Sequence, residues 1–382
     1  MMLSNKQEQN DKTYMERALL LASETAALAS PNPQVGCVLV RDGEILGEGA
    51  HLYEHYDHAE IVALKQAASR GLSTKGATAY VTLEPCSHHG RTGPCADALI
   101  AAGIARCVVA TSDPNPLVSG RGIGKLRDAG IEVISGVLQQ PARDLNDAFA
   151  HFIRTQTPYV TLKAAVSSDG KLAPPAESRP SNQPYWLTGA VARGEVQLLR
   201  HAADAVLTGI GTVLADNPQL TDRSGLPRRR PLLRVILDTH LRTPLTSQLV
   251  RSANNDLLIF TSASTPATRI SEFIQSGVEV VTVPEHQGRL SLPAVLSQLA
   301  ERKILSVLVE GGSLLNGALL RQDLVDKVVL LHAPTALGDQ AVPFAEGVAS
   351  PSELESSLQR VTRTKLGPDV CVTGYLRNPW PA

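Results

Sequence analysis

Two hydrophobic periods take turns along this chain. Residues 13–29 (TYMERALLLASETAALA) carry apolar side chains at helical spacing, and the turn-rich Ser30-Pro31-Asn32-Pro33 closes that helix. Residues 35–40 and 45–50 form two short apolar runs about the turn Arg41-Asp42-Gly43-Glu44, which predicts a hairpin. A helix is expected over 58–70, stopped by Gly71, then a strand over 77–83 and a helix from Gly93-Pro94 to about residue 102. Strands at 107–111 and 131–135 flank a helix at 122–129, and a further helix at 141–154 leads out of this unit. A fresh alternation follows, with strands at 160–166, 205–208, 233–238, 257–261, 278–283 and 306–309, helices at 190–201 and 292–302, and late strands at 328–332 and 370–375. Strands alternating with helices predict two α/β units, each with a central sheet. The boundary is placed near 150–157, giving domains 1–150 and 157–382, and the Pro- and Ser-rich stretch 173–184 reads as a loop.

Composition narrows the class. A chain of 382 residues with 43% hydrophobic content can build two packed cores. Lys+Arg is 36 and Asp+Glu 37, a formal net charge of −1, which speaks against a nucleic-acid partner. The short run Arg228-Arg229-Arg230 is expected to be a solvated loop. Five cysteines at 37, 86, 95, 107 and 371 are odd in number and widely spaced, which argues against a disulfide framework. Cys37 and Cys107 sit in apolar runs and are expected to be buried, inert thiols. No apolar stretch reaches the ~18 residues of a membrane span, and the first ten residues lack the apolar core of a secretory signal. A cytoplasmic protein without a membrane partner is the expectation.

The chemistry sits at His58-Ala59-Glu60, Pro85-Cys86 and Cys95. One His and two Cys supply three zinc ligands, and a catalytic zinc keeps its fourth position for water. Glu60, two residues from the His, is placed to accept the proton of that water and pass it to the reacting base. His-x-Glu followed by Pro-Cys is the signature of zinc-dependent nucleobase deaminases. A closed structural site is the rival reading, with His88 or His89 as fourth ligand. Eight residues separate Cys86 from Cys95, where many such deaminases have two. The insert carries Arg91, which suits a substrate bearing a phosphate.

Pro31-Asn32-Pro33-Gln34-Val35-Gly36, His58-Ala59-Glu60, the run Thr82 through Thr92 and Asp113-Pro114-Asn115-Pro116 together resemble the bifunctional deaminase/reductase family of riboflavin biosynthesis, over nearly the whole chain. The resemblance implies a cytidine-deaminase-like N-terminal domain and a dihydrofolate-reductase-like C-terminal domain. It implies zinc on His58, Cys86 and Cys95, with Glu60 as the catalytic proton donor. Asn32, His51, Arg91 and Asp113 would contact the substrate, a diaminohydroxy-phosphoribosylaminopyrimidine. The second domain would use NADPH to reduce the ribosyl group to ribityl. The alternative is a deaminase whose second domain does not reduce.

Thr208-Gly209-Ile210-Gly211-Thr212 and Glu310-Gly311-Gly312-Ser313 each follow a predicted strand. Glycines at such a turn let backbone amides approach a phosphate, yet neither run matches the dinucleotide fingerprint, and two ordinary tight turns would read the same. The resemblance implies NADPH contacts at Ala165, Trp186, Thr212, Asp216 and Thr239 and along Gly312, Ser313, Leu314, Leu315, Asn316, Gly317 and Ala318. It implies substrate contacts at Arg200, Leu220, Arg223 and Glu310, the two arginines as clamps for the sugar phosphate. Lys163 is a candidate to assist ribose opening. The chain departs from the family in extra Pro-rich residues between Gly170 and Trp186. Pro184 stands there where the family has a substrate-contacting Ser, a role Ser181 is a candidate to fill. A homo-oligomer is expected.

Overall fold

The computed structural model describes residues 2–88, 93–179, 185–348 and 350–380. Two compact units emerge: residues 1–156 together with 380–382, and residues 157–379. The first unit runs past residue 150 because its last helix continues to Thr155. It also takes back the end of the chain. Trp380 is buried there, its indole N–H shared between the Arg143 carbonyl (3.2 Å) and Asp147 Oδ1 (3.1 Å).

Unit 1 holds β1 (Gly36–Arg41), β2 (Glu44–Ala50), β3 (Thr78–Leu83), β4 (Arg106–Thr111) and β5 (Glu132–Ser135) in the sheet order β2-β1-β3-β4-β5. β1 pairs antiparallel with β2 and β3, while β3, β4 and β5 run parallel. Parallel strands need helical crossovers, and α3 (Cys95–Ala101) and α4 (Arg121–Asp128) supply them. α1 covers Met2–Ser23, starting well before the expected residue 13 and ending before 29. The polar start of this helix is held by Asp11, which accepts from both terminal nitrogens of Arg106 (2.8 and 2.7 Å) and from the Tyr80 hydroxyl (3.0 Å). α2 spans Ala59–Ser69. The helix expected over 141–154 is two, α5 (Gln139–Leu145) and α6 (Asp147–Thr155). Asn146 breaks it because its side chain pairs with the Gln34 backbone, accepting from the N–H (2.8 Å) and donating to the carbonyl (2.9 Å). Cys37 and Cys107 are fully buried, and burial pushes the Cys107 thiol up to about 12.

Unit 2 is built on one nine-stranded sheet in the order Glu279–Val283, Leu257–Ser262, Leu233–Leu237, Ala205–Gly209, Ser306–Val309, Tyr159–Val166, Lys327–His332, Asp369–Tyr375, Gln359–Leu366. The first seven run parallel, Asp369–Tyr375 runs antiparallel to them, and Gln359–Leu366 pairs antiparallel with Asp369–Tyr375 at the edge. Its strands are near-continuous apolar runs because both faces are covered, for instance by Leu162, Val235 and Phe260 on one side and Val206, Ile236 and Ile259 on the other. The strand Gln359–Leu366 escapes sequence reading because, at the open edge, six of its eight residues are exposed and polar.

The arginine run is not a solvated loop. Arg228 donates to the carbonyls of Arg200, His201 and Ala203 and pairs with Asp222 (3.1 Å), and Arg230 pairs with Asp204 (2.9 Å). Carbonyls at the C-terminal end of the helix Ala190–Ala202 need donors, and Arg228 supplies them. Among the described residues no helix is long and apolar enough to cross a membrane.

Candidate active sites

The first site forms where β3 ends and α2 and α3 begin. α2 lies very close on β2: a Cβ on Gly47 would stand 2.2 Å from the Ala63 carbonyl oxygen, so the approach requires glycine. Ala59, Ala63 and Ala67 are buried in that contact. The packing fixes the N-terminus of α2, with His58 as its N-cap and Glu60 in the first turn. Cys86 lies just past β3, and Cys95 opens α3.

His58 Nδ1 stands 3.2 Å from Cys95 Sγ and 3.5 Å from Cys86 Sγ, and all three atoms lie within 4.8 Å of one another. The Cys95 backbone N–H donates to Cys86 Sγ at 3.2 Å. Hydrogen bonds from the Cys95 thiol, His58 and that N–H hold the Cys86 thiol well below the usual thiol range, against its burial. The bond to Cys86 raises His58, and donation to Cys86 together with burial raises Cys95. A ready thiolate, an imidazole and a second buried thiol converging on one point form a donor set that fits a tetrahedral zinc with one position free. His88 is exposed and takes no part in the cluster, and His89 lies outside the described residues.

Glu60 is 3% exposed, and burial pushes its carboxyl up to about 7. Around it, His51 donates from Nδ1 to the Asp57 carbonyl (2.8 Å) and accepts at Nε2 from the Asn32 amide (2.9 Å). Burial lowers His51, so it is neutral and this tautomer follows. Asn32 therefore meets His51 through its NH₂ group and not through its amide oxygen. Asp113, raised by burial, uses Oδ1 to accept from the Asn115 N–H at 2.8 Å. Arg91 lies outside the described residues. Sequence reading passed over Glu84, a buried carboxylate just before Pro85-Cys86. The signal was a charge at the end of an otherwise apolar strand.

The second site is a cavity of about 760 Å³ in unit 2, at the C-terminal ends of parallel strands. Two helices aim their N-termini at it, Ile210–Asp216 after Gly209 and Ser313–Arg321 after Gly312, and neither has a side-chain cap. The Ser313 hydroxyl is buried there without a partner. Free N–H groups and an orphaned hydroxyl at a helix start fit the phosphates of a dinucleotide, so the residues present accommodate NADPH.

Ala165, Thr212, Asp216 and Thr239 line this cavity, as do Gly312 to Leu315 and Ala318. Asn316 and Gly317 do not. Asn316 faces inward and donates to the Phe344 carbonyl (3.0 Å), and Gly317 packs on the Glu346 backbone. Trp186 is 59% exposed beneath the Arg193 guanidinium, and Tyr185 lines the cavity instead. Of the substrate set, Glu310 lines the cavity. Arg200 is engaged with it through two bonds (2.6 and 3.1 Å) and with the Thr221 carbonyl (2.9 Å), which leaves few donors for a phosphate. Leu220 packs into the core, and Arg223 is exposed. Lys163 also lines the cavity, 3.6 Å from Glu310. Burial pushes the Glu310 carboxyl up, but the Lys163 and Arg200 charges outweigh it and hold it below the usual range. Arg179 lines the cavity from the Pro-rich loop, whereas Ser181 and Pro184 lie outside the described residues.

Both units match known protein families. The family described as the RibD C-terminal domain matches residues 158–372, and the cytidine and deoxycytidylate deaminase zinc-binding region matches 8–111. The riboflavin biosynthesis protein RibD of Escherichia coli is 42% identical over 95% of this chain and 98% of its own, and that of Actinobacillus pleuropneumoniae 39% over 97% and 96%. Among solved structures, Acinetobacter baumannii RibD superposes with a TM-score of 0.80 at 36% identity, covering 96% of this chain and 99% of that one. The Thermotoga maritima protein described as a diaminohydroxyphosphoribosylaminopyrimidine deaminase/5-amino-6-(5-phosphoribosylamino)uracil reductase superposes with a TM-score of 0.82 at 35% identity, covering 97% and 99%. The chain belongs to the RibD family, enzymes of riboflavin biosynthesis that join a zinc-dependent deaminase to a reductase.

Proposed function

We propose that unit 1 hydrolyses one ring amine of a diaminohydroxy-phosphoribosylaminopyrimidine, and that unit 2 reduces the ribosyl group of the resulting uracil to ribityl with NADPH. The observation that carries the first step is the convergence of His58, Cys86 and Cys95 beside Glu60, a carboxyl pushed up to about 7 by burial. His58, Cys86 and Cys95 would hold zinc, which when bound would activate a water for attack at neutral pH. Glu60 carries one proton of the attacking water to the ring nitrogen, then a second, from the added hydroxyl, to the departing amine, which leaves as ammonia as the carbonyl forms. Asn32, its amide turned by His51, presents its oxygen to the pyrimidine. Asp113 orients the ring, and Arg91 takes the ribose phosphate.

In unit 2 NADPH supplies the hydride. The start of the helix Ser313–Arg321 and Thr212 hold the cofactor's phosphates. Glu310 remains ionised, aligns Lys163 at the cavity wall, and Lys163 protonates the ribose ring oxygen as the ring opens. The three carboxylate–cation contacts of this cluster support a reacting centre at the cavity over a merely binding second unit. The enzyme works in the cytoplasm as a homo-oligomer, with the phosphorylated pyrimidine as its small-molecule partner. Its five free thiols are consistent with a reducing compartment.

The test is zinc-loaded protein with the pyrimidine substrate, with and without NADPH, and products identified by mass. Deaminated product alone is expected without NADPH and the ribityl product with it. Deamination without NADPH consumption would sink the second step, and size-exclusion chromatography at the monomer mass would sink the oligomer.

A further inference from the structure

Glu84 is 4% exposed and faces backbone rather than a cation. Its Oε2 accepts from the N–H groups of Asp113 (3.1 Å) and Gly120 (2.9 Å), and its Oε1 from those of Gly122 (2.9 Å) and Ile123 (3.2 Å). All four acceptor positions of the carboxylate are thereby used. Gly120, the N-cap of α4, sits at φ 80 and has no side chain to cap its helix, so Glu84 caps it from another element. The two backbones touch: a Cβ on Gly122 would stand 1.9 Å from the Pro85 carbonyl oxygen. Glu84 therefore joins two segments of the deaminase site. Two residues along the chain on one side is Cys86, and one hydrogen bond away on the other is Asp113, whose carboxylate is turned by the Asn115 N–H.

We propose that Glu84 is a positioning residue for deamination, holding the Asp113 carboxylate at a fixed place relative to Cys86 and so setting how the pyrimidine lies over the metal site. This rests on the reading of Asp113 as a substrate contact. Only a carboxylate does the work. An amide at this position would turn its NH₂ toward two N–H donors that it cannot satisfy.

The experiment is Glu84→Gln in the full-length, zinc-loaded enzyme, with the reductase reaction as control for folding. Deaminase kcat/KM is expected to fall by roughly ten- to a hundredfold, with zinc content and reductase kinetics unchanged. In an Asp113→Ala background the same substitution is expected to add less than about twofold, because its effect passes through Asp113. Full additivity in the double variant, or loss of activity that merely follows loss of zinc, would overturn the proposal. If Asp113→Ala alone leaves kcat/KM unchanged, the substrate-contact reading itself fails and this inference goes with it. A harmful Asp113→Ala with an additive Glu84→Gln sinks the inference alone. Should Glu84→Gln not accumulate as folded protein, Glu84→Asp, which keeps the charge on a shorter arm, is measured instead. It is expected to lower deaminase kcat/KM in the same way, and unchanged kinetics there overturn the proposal.

Discussion

The two sites of this chain are built from different materials. In unit 1 the candidate site is built from side-chain atoms, the imidazole of His58, the sulfurs of Cys86 and Cys95 and the carboxyl of Glu60. In unit 2 the large cavity presents two uncapped helix starts at Gly209 and Gly312, so much of its ligand-facing surface is backbone. A metal demands particular donor atoms, and few residue types have them. A dinucleotide phosphate accepts any backbone N–H that can approach it. The first site should tolerate few changes of donor, and the second most side-chain changes that leave its turns intact.

The largest test of that contrast is Glu60→Gln. Deamination is expected to fall by about 10²–10⁴-fold, as for loss of a general acid–base group, with zinc still bound and the reductase untouched. Product formation by mass and zinc by elemental analysis read this directly, and full deaminase activity would refute the role of Glu60. Next comes Glu310→Ala, where a side-chain cluster sits inside the backbone-built site. It leaves Arg200 and Lys163 buried without their partner, and breaking such a pair costs about 3–5 kcal/mol. Reductase activity should vanish and the thermal transition of unit 2 should fall, while deamination persists. A stable, active variant would show that the cluster is peripheral.

A smaller effect concerns the frame of unit 1. Arg106 and Tyr80 bind Asp11 and, against the cost of its burial, hold its carboxyl below the usual value. A depressed carboxyl stabilises the fold above its unfolded pKa, and that stability is lost as pH falls through the folded value. Asp11→Asn should therefore lower the urea midpoint at neutral pH by the equivalent of about 1–2 kcal/mol, and the two curves should converge below about pH 4. Parallel curves across the acid range would mean the pair adds nothing.

How much the sequence revealed follows the same division. His58, Glu60, Cys86 and Cys95 were legible because their residue types and spacing leave few other readings. Glu84 was not, since its partners are four backbone N–H groups that no residue type announces. The parallel strands of unit 2 were visible as apolar runs, but the edge strand Gln359–Leu366 was hidden by its exposed polar residues. The run from Gly312 to Ala318 was too broad because linear adjacency does not say which side of a helix faces a cavity. Asn316 turns to the Phe344 carbonyl and away from it. The split of the helix at Asn146 depended on a partner, Gln34, that lies far away in sequence.

The smallest expected effect probes an exception on the cavity wall. Arg179 reaches it from the Pro-rich loop in which the chain departs from its family, and its Nε is buried there without a partner. Asp216, on the same wall, is raised by burial and partly offset by the Arg179 charge. A guanidinium so placed suits a phosphate of the ligand. Arg179→Ala should raise the KM for NADPH about three- to tenfold with kcat nearly unchanged, the ~1 kcal/mol of one partly screened charge contact. An equal rise for NADH would assign the contact to the shared pyrophosphate, and a rise for NADPH alone to the 2′-phosphate. Unchanged KM for both would return the site to backbone alone, because a cavity whose phosphates are held by helix starts does not need this side chain.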